Sequence, residues 1–306
     1  MIETREMKVL SSDGIHMLAG VVYLPEGTPR GIFHVVHGMT EYIGRYDRFL
    51  RRMAMAGYIV CGYDHLGHGK TARDDSELGF IASEDGWLLL VRDVGVFAAA
   101  VRKKYGESLP YHLMGHSMGS FIVRLAAVSS AVPARLVVMG TGGPNPLASL
   151  GIGITGLSKA IFGEKHISKL AETMAFGAYN KRFKAENDRT AWLTKDLAVR
   201  EKYCADKYCT FHFTVSAMQD LVRLNKCCNE DEWFTEAAGR HFPILLVSGA
   251  EDPVGSDGRG VTEVFNRLFE QGADVSMHLY PSGRHEILND DTFDEVTEEI
   301  LRFIAQ

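Results

Sequence analysis

Short, uninterrupted apolar runs alternate along the chain with longer stretches in which apolar residues recur every three or four positions. The runs are GIFHVVHG (31–38), YIVCGYD (58–64), YHLMG (111–115), RLVVMG (135–140), PILLVSG (243–249) and VSMHLYP (275–281). All six predict strands, and several are continuous rather than alternating, which suits strands buried on both faces of a mainly parallel sheet. Ahead of them, EMKVLSSDGIHMLAGVVYLPEG predicts a hairpin about its Ser-Ser-Asp-Gly turn. GRYDRFLRRMAMAGY (44–58), EDGWLLLVRDVGVFAAAVRKKYG (84–106), VTEVFNRLFEQG and DTFDEVTEEILRFIAQ carry the helical spacing. Gly57 ends the first of these as a C-cap, and the second places acidic residues first and basic ones last, as the helix dipole prefers. Strands alternating with helices predict an α/β sheet with crossover helices.

The alternation stops between about Gly142 and PILLVSG, where roughly 100 residues hold no convincing strand. The interval opens on the loop-forming GTGGPNP and continues in helical fragments. The expected organisation is a core of residues 1–142 and 211–306 interrupted by a helical lid over 143–210. Leu147, Leu150, Ile154, Leu157 and Ile161 fall on one face of a helix weakened by Gly151, Gly153 and Gly156. The favoured expectation is that this stripe packs onto the main domain. A mobile lid over an apolar pocket, touching a membrane surface, is compatible with the same pattern.

Composition narrows the function. Of 306 residues, 46% are hydrophobic and 24% charged, which suits a globular protein with a large core. A net charge of −6 and the absence of a Lys/Arg cluster argue against nucleic acid as a partner. MIETREMKVLSSDG carries charge where a secretory leader needs an apolar run, so a cytoplasmic location is expected. The five cysteines do not read as a disulfide framework. Cys204, Cys209, Cys227 and Cys228 cluster but lack the paired spacing of zinc sites, so buried or idle thiols are expected rather than a metal.

Chemistry concentrates where strands end. Gly115-His116-Ser117-Met118-Gly119 follows a strand and precedes the helix SFIVRLAAVSS, the setting in which G-x-S-x-G lifts a serine above a sheet. The Met118 amide then faces a substrate carbonyl oxygen, aided by the helix N-terminus. A serine nucleophile needs a base and an orienting acid. His285, in the loop PSGRHEILND after the last strand, is the expected base. Asp252, in GAEDPVG after the preceding strand, is the expected acid, with Glu251 adjacent and Asp257 close by. His34, His112 and His278 lie within strands, where structural roles are expected, and His116 is expected to point away from the serine. Ser117, Asp252, His285 is the nucleophile–acid–histidine order of α/β-hydrolases. After GIFHVVHG, Gly38 permits a sharp turn and the Met39 amide is the expected second oxyanion donor.

Taken together, HVVHGMTEYIGRY, GYDHLGHGKT, LMGHSMGS, VSGAEDPVG and YPSGRHEILND resemble the monoacylglycerol lipase and lysophospholipase group of α/β-hydrolases, also described as serine aminopeptidase-like hydrolases. The resemblance implies an α/β-hydrolase fold with an eight-stranded, mainly parallel sheet, a triad of Ser117, Asp252 and His285, and an oxyanion loop at His37, Gly38 and Met39. It implies that Asp64, His65 and His68 fix a loop by hydrogen bonds rather than bind a metal. Tyr42 stands where the family pattern has histidine, and Thr71 where it has serine. The expected activity is cofactor-free hydrolysis of an ester with an apolar acyl chain, such as a monoacylglycerol or lysophospholipid. A peptidase or amidase using the same triad, and a binding protein that kept the fold without turnover, remain alternatives.

Overall fold

The computed structural model describes residues 2–306. Strands β1 (Glu3–Leu10) and β2 (Met17–Leu24) form the N-terminal hairpin, with Leu10 opposite Met17. Then β3 (Gly31–Val36), α1 (Asp47–Met55), β4 (Tyr58–Tyr63), α2 (Gly86–Tyr105), β5 (Tyr111–His116), α3 (Met118–Val128) and β6 (Arg135–Met139) alternate along the chain. Five helices intervene before the next strand: α4 (Ala148–Phe162), α5 (Lys169–Phe176), α6 (Leu197–Ala205), α7 (Val215–Cys227) and α8 (Asp231–Gly239). The chain closes with β7 (Ile244–Gly249), α9 (Arg259–Glu270), β8 (Val275–Tyr280) and α10 (Phe293–Ala305).

All eight strands form one sheet in the order β1-β2-β4-β3-β5-β6-β7-β8. The pairings of β1 with β2 and of β2 with β4 are antiparallel, and the other five are parallel. This is the α/β-hydrolase architecture expected from the sequence. Every residue of β3, β4, β5 and β7 is buried, the physical counterpart of their uninterrupted apolar runs. Alternate strand residues feed two cores. Leu113 of β5 packs on the side of α2 and α3 with Val94 and Ile122, and Met114 packs on the side of α1 and α10 with Leu50 and Ile300. Because β3, β5, β7 and β8 run parallel, the loops that follow them gather at one edge of the sheet.

The apolar stripe of α4 departs from expectation. Leu150, Leu157 and Ile161 are 55%, 64% and 62% exposed, and Leu147 is exposed with them. The opposite, small-residue face is the one that packs. Ala148 and Thr155 are buried, and a Cβ added at Gly151 would meet Val222 of α7 at 3.7 Å. Gly156 is the tight position, where a Cβ would come within 3.2 Å of the Gln219 side chain of α7, and the large side chains are left outside. Beside them Phe162, Ile167, Leu170 and Met174 are also exposed, so the apolar surface continues into α5.

The cysteines form no disulfide: Cys209 and Cys228 are buried, Cys227 half-buried and Cys204 exposed. Among the described residues no cluster of histidine, cysteine and carboxylate side chains is arranged to hold a metal ion. Nor is any of their helices long and apolar enough to cross a membrane.

Candidate active site

Ser117 occupies the junction between β5 and α3 with φ 55° and ψ −123°, a conformation that costs a non-glycine residue about 1–3 kcal/mol. Two contacts hold it there: its amide donates to the Met139 carbonyl of the neighbouring strand end at 3.0 Å, and its carbonyl accepts from the Ser120 amide at 2.8 Å. Neighbouring glycines make room for the turn. A Cβ on Gly115 would lie 2.2 Å from the Gly119 carbonyl oxygen, and one on Gly119 would lie 2.2 Å from that of Val36. Both glycines of the motif are thus required by close backbone approach.

His285 lies in the loop after β8 and Asp252 in the loop after β7. His285 Nδ1 is 2.9 Å from Asp252 Oδ2, and both side chains are buried. A carboxylate only accepts, so in the neutral ring Nδ1 carries the proton and Nε2 presents a lone pair. Asp252 is fixed in turn, because its Oδ1 accepts the Val254 amide at 2.9 Å. Glu251 instead pairs with Arg182 at the surface, as does the exposed Asp257. The structure thus places Asp252 rather than either neighbour against the histidine. The ring of His285 also rests on Trp192, centroids 5.0 Å apart, and its amide donates to the Trp192 carbonyl. Trp192 belongs to the inserted segment, and no pattern in the sequence singles it out.

The turn after β3 comes close to Ser117. A Cβ on Gly38 would lie 2.9 Å from Ser117 Cβ, so only glycine brings this turn so near the serine. Met118 is the first residue of α3, where the helix has no internal acceptor for its amide. Neither the Met39 nor the Met118 amide donates to another group of the described residues. A cluster of buried histidines fixes the turn. His37 Nδ1 donates to the Gly38 carbonyl at 2.8 Å, and its Nε2 accepts the His65 amide at 3.1 Å. His65 Nε2 donates to the His37 carbonyl at 3.0 Å. Burial pushes the values of His37 and His65 down and that of His68 to about 3, so these rings are neutral hydrogen-bonding struts. Asp64 accepts the amides of Ile43 and Lys70. Asp64, His65 and His68 thus bond within and beside their own loop.

Tyr42, at the position where the sequence pattern departs from the family, donates to Asp206 Oδ2 at 2.8 Å. Thr40 bonds the Tyr203 hydroxyl at 2.9 Å. The turn after β3 is therefore tied to the end of α6, a connection the sequence did not reveal. His116 turns into the protein and bonds Tyr46 and the His285 carbonyl.

Ser117, His285, Met39 and Met118 all border one cavity of about 1020 Å³. Phe121, Phe176, Leu193 and Val222 line it among others, and α5, α7 and the segment around Trp192 contribute its walls. Ser117, His285 and the residues carrying the two free amides thus line the same largely apolar chamber.

Residues 27–292 match the family model described as serine aminopeptidase, S33. The chain is 27% identical to a monoacylglycerol lipase of Mycolicibacterium smegmatis, over 97% of this chain and 99% of that protein. It is 33% identical to a monoglyceride lipase of Rattus norvegicus over 119 residues, 39% of this chain and 37% of the relative. Among solved structures, a thermostable carboxyl esterase from Bacillus coagulans in complex with glycerol superimposes with a TM-score of 0.92. That esterase is 30% identical and covers 100% of this chain and 99% of its own.

Proposed function

We propose that this chain, which belongs to the serine aminopeptidase (S33) family of α/β-hydrolases, cleaves carboxylic esters with an apolar acyl chain through an acyl-enzyme on Ser117. The observation that carries the reading is the 2.9 Å contact between His285 Nδ1 and Asp252, which leaves Nε2 as a base in the same cavity as Ser117. Ser117 Oγ attacks the ester carbonyl while His285 Nε2 takes its proton. The oxyanion rests on the Met39 and Met118 amides, each worth about 3 kcal/mol in the transition state. The intermediate collapses, His285 protonates the departing alcohol, and the acyl group stays on Ser117. Water, deprotonated by the same Nε2, then attacks the acyl carbon, and the acid leaves as Ser117 regains its proton. Nothing in these steps calls for a cofactor.

A monoacylglycerol is the favoured substrate, with a lysophospholipid next. The relatives named as monoacylglycerol and monoglyceride lipases support the first choice, and so does the size of the cavity. Residues 143–210 serve as the lid. Its exposed face of Leu150, Leu157, Ile161 and Phe162 meets a lipid surface transiently, so that substrate passes from membrane to cavity. The test is hydrolysis of 1-monoacylglycerols and p-nitrophenyl esters from acetate to palmitate, beside aminoacyl amides. Turnover that rises with acyl length supports the reading. Activity confined to acetate, or faster cleavage of the amides, would replace it with a short-chain esterase or a peptidase.

A further inference from the structure

Behind Ser117 and His285 lies a set of buried charges that takes no part in the mechanism above. Glu41 Oε1 accepts the Gly38 amide at 2.5 Å, in the turn that carries the Met39 amide. Its Oε2 accepts from Arg45 Nη1 at 3.0 Å. Arg45 clamps Glu286 with both ends of its guanidinium, at 2.7 and 2.8 Å. Glu286 immediately follows His285 in the chain, and its amide donates to the Leu193 carbonyl at 2.7 Å. One carboxylate–guanidinium–carboxylate bridge therefore spans from the oxyanion turn to the histidine loop.

His116 closes the circuit. Its Nε2 is 3.1 Å from the His285 carbonyl oxygen, and its Nδ1 is 2.8 Å from the Tyr46 hydroxyl and 3.2 Å from Glu41 Oε1. Its proton state follows once Glu41 is ionised, as the Arg45 guanidinium and the Gly38 amide donating to its two oxygens favour. A carbonyl only accepts, so Nε2 carries a proton. Tyr46 donates its single proton to Glu41 at 2.9 Å, so its oxygen must accept from Nδ1, which then carries a proton as well. With Glu41 ionised, a neutral ring would leave either the Nδ1–Tyr46 contact or the Tyr46–Glu41 contact with no proton between its atoms.

We infer that His116 is a positioning residue working as an imidazolium, and that with Glu41, Arg45 and Glu286 it forms a charge-neutral buried unit. That unit sets the distance between the oxyanion turn and the catalytic histidine. Two positive and two negative groups balance, which is what a buried set of charges needs to persist. The titratable groups facing His116 are Glu41 and Tyr46 from the turn after β3, and His285 and Glu286 from the loop after β8; Arg45 stands one step behind. Burial works against the charge on His116, but the hydrogen bond and charge of Glu41, then the charge of Glu286, outweigh it and raise its value. Burial likewise opposes ionisation of Glu41, yet the His116 bond and the His116 and Arg45 charges hold its carboxyl below the usual range.

The inference of a positioning role rests on the assignment of Ser117 and His285 above, and the test separates the two. The protein is labelled with ¹⁵N-histidine and its ring nitrogens are read by NMR at about pH 8, where an ordinary histidine is neutral. Both nitrogens of His116 are expected to carry protons in the unaltered protein. Glu41→Gln is expected to return His116 to a single proton. It should also lower kcat about 100-fold, with KM changed by no more than about threefold. A neutral His116 in the unaltered protein overturns the inference, and that measurement requires no variant to fold. A folded Glu41→Gln protein with kcat within about threefold of the original also overturns it. Absence of Ser117 labelling by a fluorophosphonate in the unaltered protein would remove the catalytic reading and the positioning role with it. Labelled Ser117 beside a neutral His116 would remove only the inference drawn here.

Discussion

Asp252 Oδ2 lies 2.9 Å from His285 Nδ1, while the adjacent Glu251 turns outward to Arg182. One residue step thus separates a buried partner of the base from a surface ion pair, and the two carboxylates should behave in opposite ways. Asp252→Asn should lower kcat by about 10³- to 10⁴-fold, because the wrong tautomer of His285 is then held. Glu251→Gln removes only an exposed pair and should leave kcat within about twofold. Ester turnover of the two purified variants, side by side, checks this.

The turn after β3 should tolerate changes of side chain and resist changes of backbone. Gly38→Ala would push a methyl to 2.7 Å from Glu41 Oε1 and 2.9 Å from Ser117 Cβ. A loss of about 100-fold in kcat is expected from the displaced Met39 amide. Met39→Leu keeps that amide and should stay within about threefold. Equal losses in both variants would mean that Met39 acts through its side chain.

The exposed face of α4 should matter for lipid substrates only. In Leu150→Ser/Leu157→Ser/Ile161→Ser, each change lies at the surface and should alter stability by less than about 0.5 kcal/mol. Turnover of monoacylglycerol carried in vesicles should fall at least about tenfold. Hydrolysis of water-soluble p-nitrophenyl acetate should be unchanged. Equal loss on both substrates would point to damage in the cavity instead of a lost membrane contact.

Asp220 on α7 supplies a pH dependence of stability. Burial raises its carboxyl to about 7 from an ordinary 3.8, and the Trp87 amide and the Arg223 charge offset this only in part. A carboxyl whose folded value lies above its unfolded value binds its proton more tightly when folded. Stability is therefore full below about pH 4, declines as pH rises, and carries the whole penalty above about pH 7. The penalty is on the order of a few kcal/mol. Asp220→Asn removes the titration, so its Tm should gain on that of the original protein between pH 4 and 8. A difference in Tm that stays constant with pH would contradict this.

Much of the fold was legible because buried parallel strands write themselves as continuous apolar runs; all six predicted runs became strands, with only the edge strand β8 largely half-buried. The candidate site was legible for a related reason. Ser117, Asp252 and His285 each follow a strand end within a short loop, so chain order translates into proximity. Features that depend on contacts between distant segments were not legible. Trp192 against His285, Tyr42 against Asp206 and Arg45 against Glu286 join residues separated by 93, 164 and 241 positions, respectively. The α4 stripe misled because amphipathic spacing identifies two faces without saying which is inward. Close packing against α7 favoured the small side chains over the large ones, and that choice is made by the partner helix.

The central claim is an acyl-enzyme on Ser117, and intact-mass spectrometry tests it most directly. The protein is mixed with a slowly deacylating p-nitrophenyl ester, or with a fluorophosphonate, and quenched in acid. One added acyl or phosphonyl group is expected, mapped to the peptide carrying Ser117 and missing from Ser117→Ala. An unmodified protein that still hydrolyses the ester, or equal modification of Ser117→Ala, would contradict it.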